Sequence, residues 1–238
     1  MIHLRKITRR EFRERMQRGE LQACIIPVAA VEQHLEHLAM EHDWRSVSEV
    51  AQRVAEAMAP NVIVAEGLMA GISEHHMRHP GTLSLRPATF LAVINDLIRS
   101  MIHAGFKNIL VLNGHGGNIA PVAGLWDQFL REFEGVNLHY LTYWDVLSAD
   151  DAAELLESGT RLPDDLPGHA QEFETSMALA AFPENVRLDA VSDQADPTPA
   201  LATAAKGEAI LERVVARLIT FVSEMIDGKR QPETPHFH

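Results

Sequence analysis

Residues Lys107–Asn118 read KNILVLNGHGGN, an apolar run that changes abruptly into a polar, glycine-rich turn. The run Asn108–Leu112 is short and rich in branched apolar residues, which is typical of a buried strand in a parallel sheet. Apolar residues then recur at helical spacing over Ile119–Phe133. A strand, a tight turn and a helix in succession are the repeating unit of α/β proteins, so this stretch predicts that fold class.

The alternation of strand and helix extends in both directions from this stretch. Further strands are predicted at Ala23–Val31, Asn61–Ala65 and Val136–Thr142, and further helices at Trp44–Met58, Pro87–His103 and Ala204–Ile226. Alternating β and α units pack helices on both faces of a parallel sheet. We therefore predict an α/β protein with a three-layer α/β/α arrangement and a mostly parallel central sheet.

Composition limits the number of domains and the kinds of partner. Residues 1–238 contain no linker rich in proline, glycine and serine, so we predict a single domain with 228–238 as a loose tail. The histidines of that tail, His236 and His238, are therefore not counted as ligands. A net charge of −12 without an extended basic stripe argues against binding to nucleic acid.

The sequence lacks the patterns of a secreted or membrane protein. Its basic N-terminus is not followed by an apolar run, and no apolar stretch reaches the ~18 residues of a transmembrane helix. The one cysteine, Cys24, cannot form a disulfide within the chain, which favours a reducing compartment. We predict a soluble, cytoplasmic protein with no membrane partner, in which Cys24 is an inert residue of a buried strand.

Three clusters of histidine and carboxylate residues lie where strand-like runs end. They contain Glu32, His34 and Asp43, then His115, and finally His169–Thr175, which reads HAQEFET. Open parallel sheets bind ligands at the carboxyl ends of their strands, so we expect the clusters to converge there. Neutral imidazole and carboxylate groups together suit first-row divalent ions. The sequence therefore predicts a metal-dependent hydrolase.

Structural explanations exist for some of these residues. Asp43 immediately precedes a predicted helix, where an aspartate is also a good N-cap. Glu172 and Glu174 lie in the first turn of another predicted helix, where the helix dipole favours acidic residues, so one of the two is expected to be structural. Glu32 and His34 differ from these, because two such groups at the end of an apolar strand are costly to bury without a partner.

The glycines around His115 allow two interpretations. Between a strand and a helix they resemble a phosphate-binding turn. However, position 119 is isoleucine where the dinucleotide pattern has its third glycine, and Asp145 comes too late in the chain to contact a ribose. We favour the second interpretation, in which the glycines let the backbone turn tightly around a metal-bound His115.

The polar loop Gly71–Thr82, which reads GISEHHMRHPGT, is either solvated surface or a substrate-binding loop. We predict the second, with Ser73 and His76 as substrate-binding residues. Gly116 of the glycine-rich turn and Trp144 of the segment YWDV are added to this set, although core packing would also explain the tryptophan.

Four segments together resemble the creatininase (creatinine amidohydrolase) family. They read PVAAVEQHLEHLAMEHD, SEHHMRHPGTLSL, NGHGGN and HAQEFETS, and they follow the family's order between Pro27 and about Arg187. The resemblance implies a compact α/β/α domain, a dinuclear centre of two divalent ions (Zn, Mn or Fe), and hydrolysis of amide-like C–N bonds in a small-molecule substrate. It also implies a homo-oligomer, commonly a hexamer.

Carried over by motif, the resemblance implies a set of five ligands. Glu32 and His115 would hold one ion, His34 and Glu174 the other, and Asp43 would bridge them. Two ions that share a hydroxide lower its pKa toward neutrality while one of them polarises a carbonyl. Five protein ligands for two ions leave positions open for water and substrate.

His169 is predicted to be the catalytic residue that donates a proton to the leaving nitrogen. Departures from the family pattern argue against creatinine as substrate: Glu41 and His42 replace Gly-Thr before the aspartate, and Gly116-Gly117 replaces the Tyr-Glu pair of creatininase itself. We therefore predict a dinuclear metal-dependent amidohydrolase that cleaves a non-peptide C–N bond of cyclic-amide or formamide type. The alternatives are a peptidase that trims a redox-cofactor precursor peptide and a non-catalytic, metal-stabilised oligomer.

Overall fold

The computed structural model describes residues 1–158 and 166–233. Its strands are β1 (Ala23–Val28), β2 (Val62–Val64), β3 (Asn108–Asn113) and β4 (Asn137–Thr142). Within the described residues they form one sheet in the order β2-β1-β3-β4, and every neighbouring pair is parallel. The predicted α/β fold with a parallel central sheet is confirmed. Residues 234–238, which include both histidines of the predicted tail, lie outside the described residues.

Helices cover both faces of the sheet. They are α1 (Arg9–Gln17), α2 (His42–Ala57), α3 (Pro87–His103), α4 (Ile119–Ala123), α5 (Trp126–Glu132), α6 (Ala149–Leu155), α7 (Glu172–Ala181) and α8 (Ala204–Ile226). Alternate residues of a strand point to opposite sides, so Ala23 and Ile25 pack with α2, α7 and α8, whereas Cys24 and Ile26 pack with α1, α3 and α5. Cys24 is fully buried, and burial raises the pKa of its thiol.

Two helices differ from their predicted bounds. The predicted helix Ile119–Phe133 is divided into α4 and α5 near Gly124, since glycine is a weak helix former. Helix α2 begins at His42, two residues earlier than predicted, so that Asp43 lies inside its first turn. Glu41 occupies the capping position, and the interpretation of Asp43 as an N-cap is wrong. No helix in the described ranges is both long enough and apolar enough to cross a membrane.

Candidate metal centre

The five predicted ligands meet at the carboxyl ends of the two central strands, β1 and β3. Glu32 and His34 lie in the loop after β1, and His115 follows β3. Asp43 and Glu174 come from the first turns of α2 and α7. All five side chains are at most 4% exposed. Residues separated by up to 142 positions in the chain are therefore brought into one buried cluster.

The carboxylate of Asp43 lies between the two imidazoles. Its Oδ1 is 3.0 Å from His34 Nε2, and its Oδ2 is 2.8 Å from His115 Nδ1. Each imidazole also faces a second carboxylate: Glu174 Oε2 lies 3.8 Å from His34 Nε2, and Glu32 Oε1 lies 3.6 Å from His115 Nδ1. Two histidine–carboxylate pairs therefore lie on either side of Asp43, an arrangement that would suit two neighbouring ion sites with the predicted ligands.

Backbone carbonyls fix which nitrogen of each imidazole faces the cluster. His34 Nδ1 lies 3.1 Å from the carbonyl oxygen of Glu32, and His115 Nε2 lies 3.0 Å from that of Ile72. A carbonyl oxygen can only accept, so these ring nitrogens carry the hydrogen. The opposite nitrogens, which face the carboxylates, are then the ones that a metal ion could take as ligands after displacing any proton on them.

Unpartnered polar atoms mark where ions fit. Glu32 Oε2, His34 Nε2 and Asp43 Oδ2 are buried, and none of them has a hydrogen-bond partner in the described part of the chain. Leaving such atoms unpaired is costly unless a cation satisfies them. Ligand atoms of Glu32, His34 and Asp43 lie within 4.8 Å of one another, as do those of Glu32, His75 and His115. The donor set and its unpaired atoms therefore fit two divalent ions.

The buried carboxylates of the cluster are stabilised by positive charge, as their pKa values indicate. Burial raises the pKa of Glu174 to about 8 and also raises that of Glu32. Burial opposes protonation of His34, but the carboxylates of Asp43, Glu174 and Glu32 outweigh it and raise the pKa of this imidazole to about 10. Burial likewise works against ionised Asp43, but His34 and His115 hold its pKa below the usual range. Protons thus occupy the places that metal ions would take, and metal binding would release them.

Gly114 allows helix α2 to approach the turn that carries His115. A Cβ at this position would lie 2.7 Å from Cβ of Val47 and 2.8 Å from the carbonyl oxygen of Asp43. Any side chain would therefore push the first turn of α2 away from His115. The glycine before the histidine serves this close approach, which sets the contact between Asp43 and His115.

Helix α7 gives different roles to its two first-turn glutamates. Glu174 accepts a hydrogen bond from the backbone N–H of Ala170 (2.6 Å) and faces His34. Glu172 instead accepts hydrogen bonds from Lys206 Nζ (2.7 Å) and from the backbone N–H of Ser158 (2.8 Å). The expectation that one of the pair is structural holds for Glu172.

A cavity of about 290 Å³ opens onto the cluster. Its wall includes the predicted residues His76, Gly116, Trp144 and His169, together with His75. The cavity thus brings the predicted catalytic histidine and three predicted substrate-binding residues together. Its volume suits a small ligand.

Ser73 is placed differently from what the sequence predicted. It is fully buried, and its hydroxyl lies 3.3 Å from His115 Nε2, on the side of the ring away from Asp43. Among the described residues, it is not part of the cavity wall. Ser73 is therefore positioned to orient the ring of His115 by contacting the nitrogen that does not face Asp43. This position does not favour direct contact between Ser73 and a substrate.

Gln33 joins two histidines of the cavity, a role that the sequence analysis missed. Its Nε2 lies 2.9 Å from His76 Nδ1 and 2.7 Å from His169 Nε2. Its Oε1 accepts a hydrogen bond from the backbone N–H of Leu35 at 3.0 Å, so the amide nitrogen must face the two rings. The ring nitrogens left over point to Glu32 Oε1, at 3.6 Å from His76 and 3.8 Å from His169. The sequence did contain a signal for this role, because Gln33 lies between the candidate ligands Glu32 and His34.

Asn118 was also missed, and it ties three loops together. Its Oδ1 accepts a hydrogen bond from the backbone N–H of Ile72 (2.9 Å), and its Nδ2 donates to the carbonyl oxygen of Ala29 (3.2 Å) and to Asn113 Oδ1 (3.0 Å). Asn113 in turn accepts from the backbone N–H of His115 at 3.2 Å. The two asparagines of NGHGGN therefore hold the ligand loops in register.

The fold is an α/β fold with a buried cluster of histidine and carboxylate groups at the carboxyl ends of its central strands, and comparison with known proteins gives the family. The family model described as creatininase (creatinine amidohydrolase) matches residues 5–222. The chain is 30% identical to the creatinine amidohydrolase of Pseudomonas putida over 207 residues, which cover 83% of this chain and 78% of that protein. This protein therefore belongs to the creatininase family.

Two further relatives carry other activities in their names. The chain is 30% identical to the mycofactocin precursor peptide peptidase of Mycolicibacterium smegmatis, covering 80% of each chain. It is also 30% identical to the 3-dehydro-scyllo-inosose hydrolase of Thermotoga maritima, covering 77% of this chain but 57% of that protein. The members of this family are thus similar in sequence while acting on different substrates.

Solved structures agree with the fold and with a metal centre. A structure named creatininase Mn superposes with a TM-score of 0.82 at 30% identity, covering 94% of this chain and 98% of that one. A creatininase variant described as Zn-Zn type superposes with a TM-score of 0.81, also at 30% identity and with the same coverage. Family structures therefore hold manganese or zinc.

Proposed function

We propose that this protein is a dinuclear metal-dependent amidohydrolase that cleaves a non-peptide C–N bond, of cyclic-amide or formamide type, in a small molecule. The observation that carries the proposal is the position of Asp43 between two histidine–carboxylate pairs, with unpaired buried atoms around it. Two ions of Zn, Mn or Fe at these pairs would supply an activated water and a Lewis acid for the substrate carbonyl.

The residues of the cavity provide for binding and proton transfer. Gln33 orients His76 and His169 so that one nitrogen of each faces the cluster. An imidazole N–H at these positions can donate to a substrate oxygen or to the leaving nitrogen, and such donation is worth typically ~10²–10⁴-fold in rate. Trp144 and Gly116 also line this cavity, whose volume of about 290 Å³ suits a small molecule. We assign catalysis to His169 because its ring lies beside that of the candidate ligand His34, with 4.6 Å between the ring centroids.

Peptide cleavage is the second candidate. It is favoured by the similarity to the mycofactocin precursor peptide peptidase, which extends over 80% of both chains. The two candidates differ in the size of the substrate that must enter a cavity of about 290 Å³.

We also propose that the protein assembles as a homohexamer, as commonly in the family, which light scattering on the purified protein would test.

The test is a substrate screen with the metal-loaded enzyme. Creatinine, hydantoins, lactams, formamides and a short unstructured peptide would be assayed side by side, with Asp43→Asn as the inactive control. We expect turnover of a small cyclic amide or formamide that Asp43→Asn abolishes. Turnover of the peptide alone would replace the proposal with the peptidase function. Full ion content without turnover of any of these compounds would favour the non-catalytic alternative.

A further inference from the structure

His42 is a buried histidine that the five-ligand set does not use. It is the first residue of α2 and is 1% exposed. Its Nε2 lies 3.3 Å from the hydroxyl oxygen of Ser46, one helical turn further on. Its Nδ1 has no hydrogen-bond partner in the described part of the chain, although the atom is buried. A buried nitrogen without a partner is costly, so something absent from the protein chain is expected to satisfy it.

The groups around His42 indicate that the missing partner of its Nδ1 is a metal ion. Ligand atoms of His34, His42 and Glu174 lie within 4.8 Å of one another. The rings of His34 and His42 are 5.0 Å apart, and Phe182 packs edge-on against the other side of His42 at 5.6 Å. The ring of His42 is therefore held between Phe182 and one half of the metal centre. Its contact with Ser46 resembles the support that backbone carbonyls give to His34 and His115, leaving one nitrogen free for a ligand.

We propose that His42 is a further protein ligand, through Nδ1, of the ion held by His34, Asp43 and Glu174. This inference rests on the proposed function only in that ions bind at this centre. It gives the two ions different environments. The ion near His42 would have four protein ligands, two of them nitrogen, and resemble a closed zinc site. The ion near Glu32 and His115 would keep the open positions for water and substrate.

The test is a metal titration of His42→Thr. We expect the wild-type protein to bind two zinc ions with unequal affinity and the variant to lose at least about tenfold in the tighter of the two. A competing chromophoric chelator measures both constants. In the cobalt-loaded protein, the loss of a nitrogen ligand should also shift the visible absorption bands. The matched control is His37→Gln. His37 is equally buried and its Nδ1 is also without a hydrogen-bond partner in the described part of the chain, but it bonds to Thr175 Oγ1 at 2.8 Å and lies outside the ligand clusters of the described residues.

Thermal unfolding separates ligation from a structural role. Without metal, His42→Thr should lose little stability, because removal of an unpaired buried nitrogen offsets part of the packing and the Ser46 contact that the ring gives up. With zinc, the variant should gain less in Tm than wild type does, since the gain follows ion affinity. Unchanged zinc constants and cobalt spectrum in His42→Thr, alongside two ions in the wild type, would overturn the role of His42 alone. A wild-type protein that binds fewer than two ions would instead overturn the proposed dinuclear function.

Discussion

Asp43 shows how one side chain can decide the centre. Its two carboxylate oxygens lie 3.0 Å and 2.8 Å from imidazole nitrogens of His34 and His115, so each potential ion depends on the same residue. Because both ions would share Asp43, neither ion could bind another protein carboxylate in its place. The other ligands each serve a single site, and their loss should be correspondingly local.

We predict that Asp43→Ala loses both ions. The substitution leaves one site with Glu32 and His115 and the other with His34, Glu174 and the proposed ligand His42. Each site then has a single carboxylate, too little negative charge for a divalent ion. The measurement is metal content per chain by elemental analysis after dialysis. Glu172→Gln is the matched control, because Glu172 is a buried carboxylate bound to Lys206 and should leave two ions in place. Two ions retained in Asp43→Ala would contradict the bridging role.

Gln33 is a second single residue on which the site depends, because it contacts both His76 and His169. We predict that Gln33→Leu retains both ions but lowers kcat by about tenfold or more, because His76 and His169 lose the donor that orients them. A second readout does not depend on turnover: ¹⁵N spectra of labelled histidine report which ring nitrogen carries the hydrogen. The substitution should change the pattern of His76 and His169 and leave that of His115 unchanged. Unaltered spectra would show that Gln33 does not set the tautomers.

At the scale of elements, the position of Glu174 depends on how α7 packs against α8. Gly207 in α8 lies where a Cβ would be 1.9 Å from the carbonyl oxygen of Ser176 and 2.8 Å from Cβ of Ala180. The two helices therefore pack in near backbone contact. Because Glu174 stands two residues before Ser176, this contact also fixes the distance between Glu174 and His34.

We predict that Gly207→Ala lowers the free energy of unfolding by ~1–3 kcal/mol, as overpacking of a close contact does. It should also weaken metal binding, since α7, which carries Glu174, must move away from α8. Chemical denaturation and zinc titration measure the two effects. The matched control is Gly124→Ala, where the nearest atom to the new Cβ is 3.4 Å away and the backbone is already helical. That variant should be neutral or slightly stabilised.

At the scale of the whole molecule, the buried cluster couples stability to pH. The pKa of Glu174 is raised to about 8 and that of His34 to about 10, both above the values expected in the unfolded chain. The folded state therefore binds more protons than the unfolded state, and the stability that these two groups contribute is lost as pH rises. For Glu174 the loss runs from about 4.5 to about 8, and for His34 from about 6.5 to about 10.

Histidines whose pKa is lowered by burial, such as His76 and His169, act in the opposite sense, but only up to about pH 7.5, where they are neutral in the unfolded chain as well. We predict that the metal-free protein becomes less stable between about pH 7.5 and pH 9, while the stabilisation by zinc or manganese grows. Ions displace the protons that otherwise balance the carboxylates, so a rise in pH favours the metal-bound form. Tm measured with and without metal across this range tests the prediction. A metal-free Tm that rises with pH would show that these groups are not protonated in the folded state.

Much of the fold follows from local pattern. The alternation of apolar strands with amphipathic helices predicted the parallel sheet, because a buried strand and a helix have different periods along the chain. The types of residue at the strand ends predicted a metal centre, because imidazole and carboxylate have few other reasons to be buried together. Local pattern also predicted that one of Glu172 and Glu174 is structural, and the family resemblance gave the ligand role to Glu174.

The tertiary structure alone decided which residues that are distant in the chain contact one another. Local pattern allowed Asp43 to be a cap and Ser73 to be a substrate contact, whereas packing placed the first between two histidines and the second behind His115. The contact of Gln33 with His169 spans 136 positions. Such contacts depend on how far apart whole helices pack, as at Gly207. The sequence therefore determined the elements and the chemistry of the centre, and only packing determined which side chains face it.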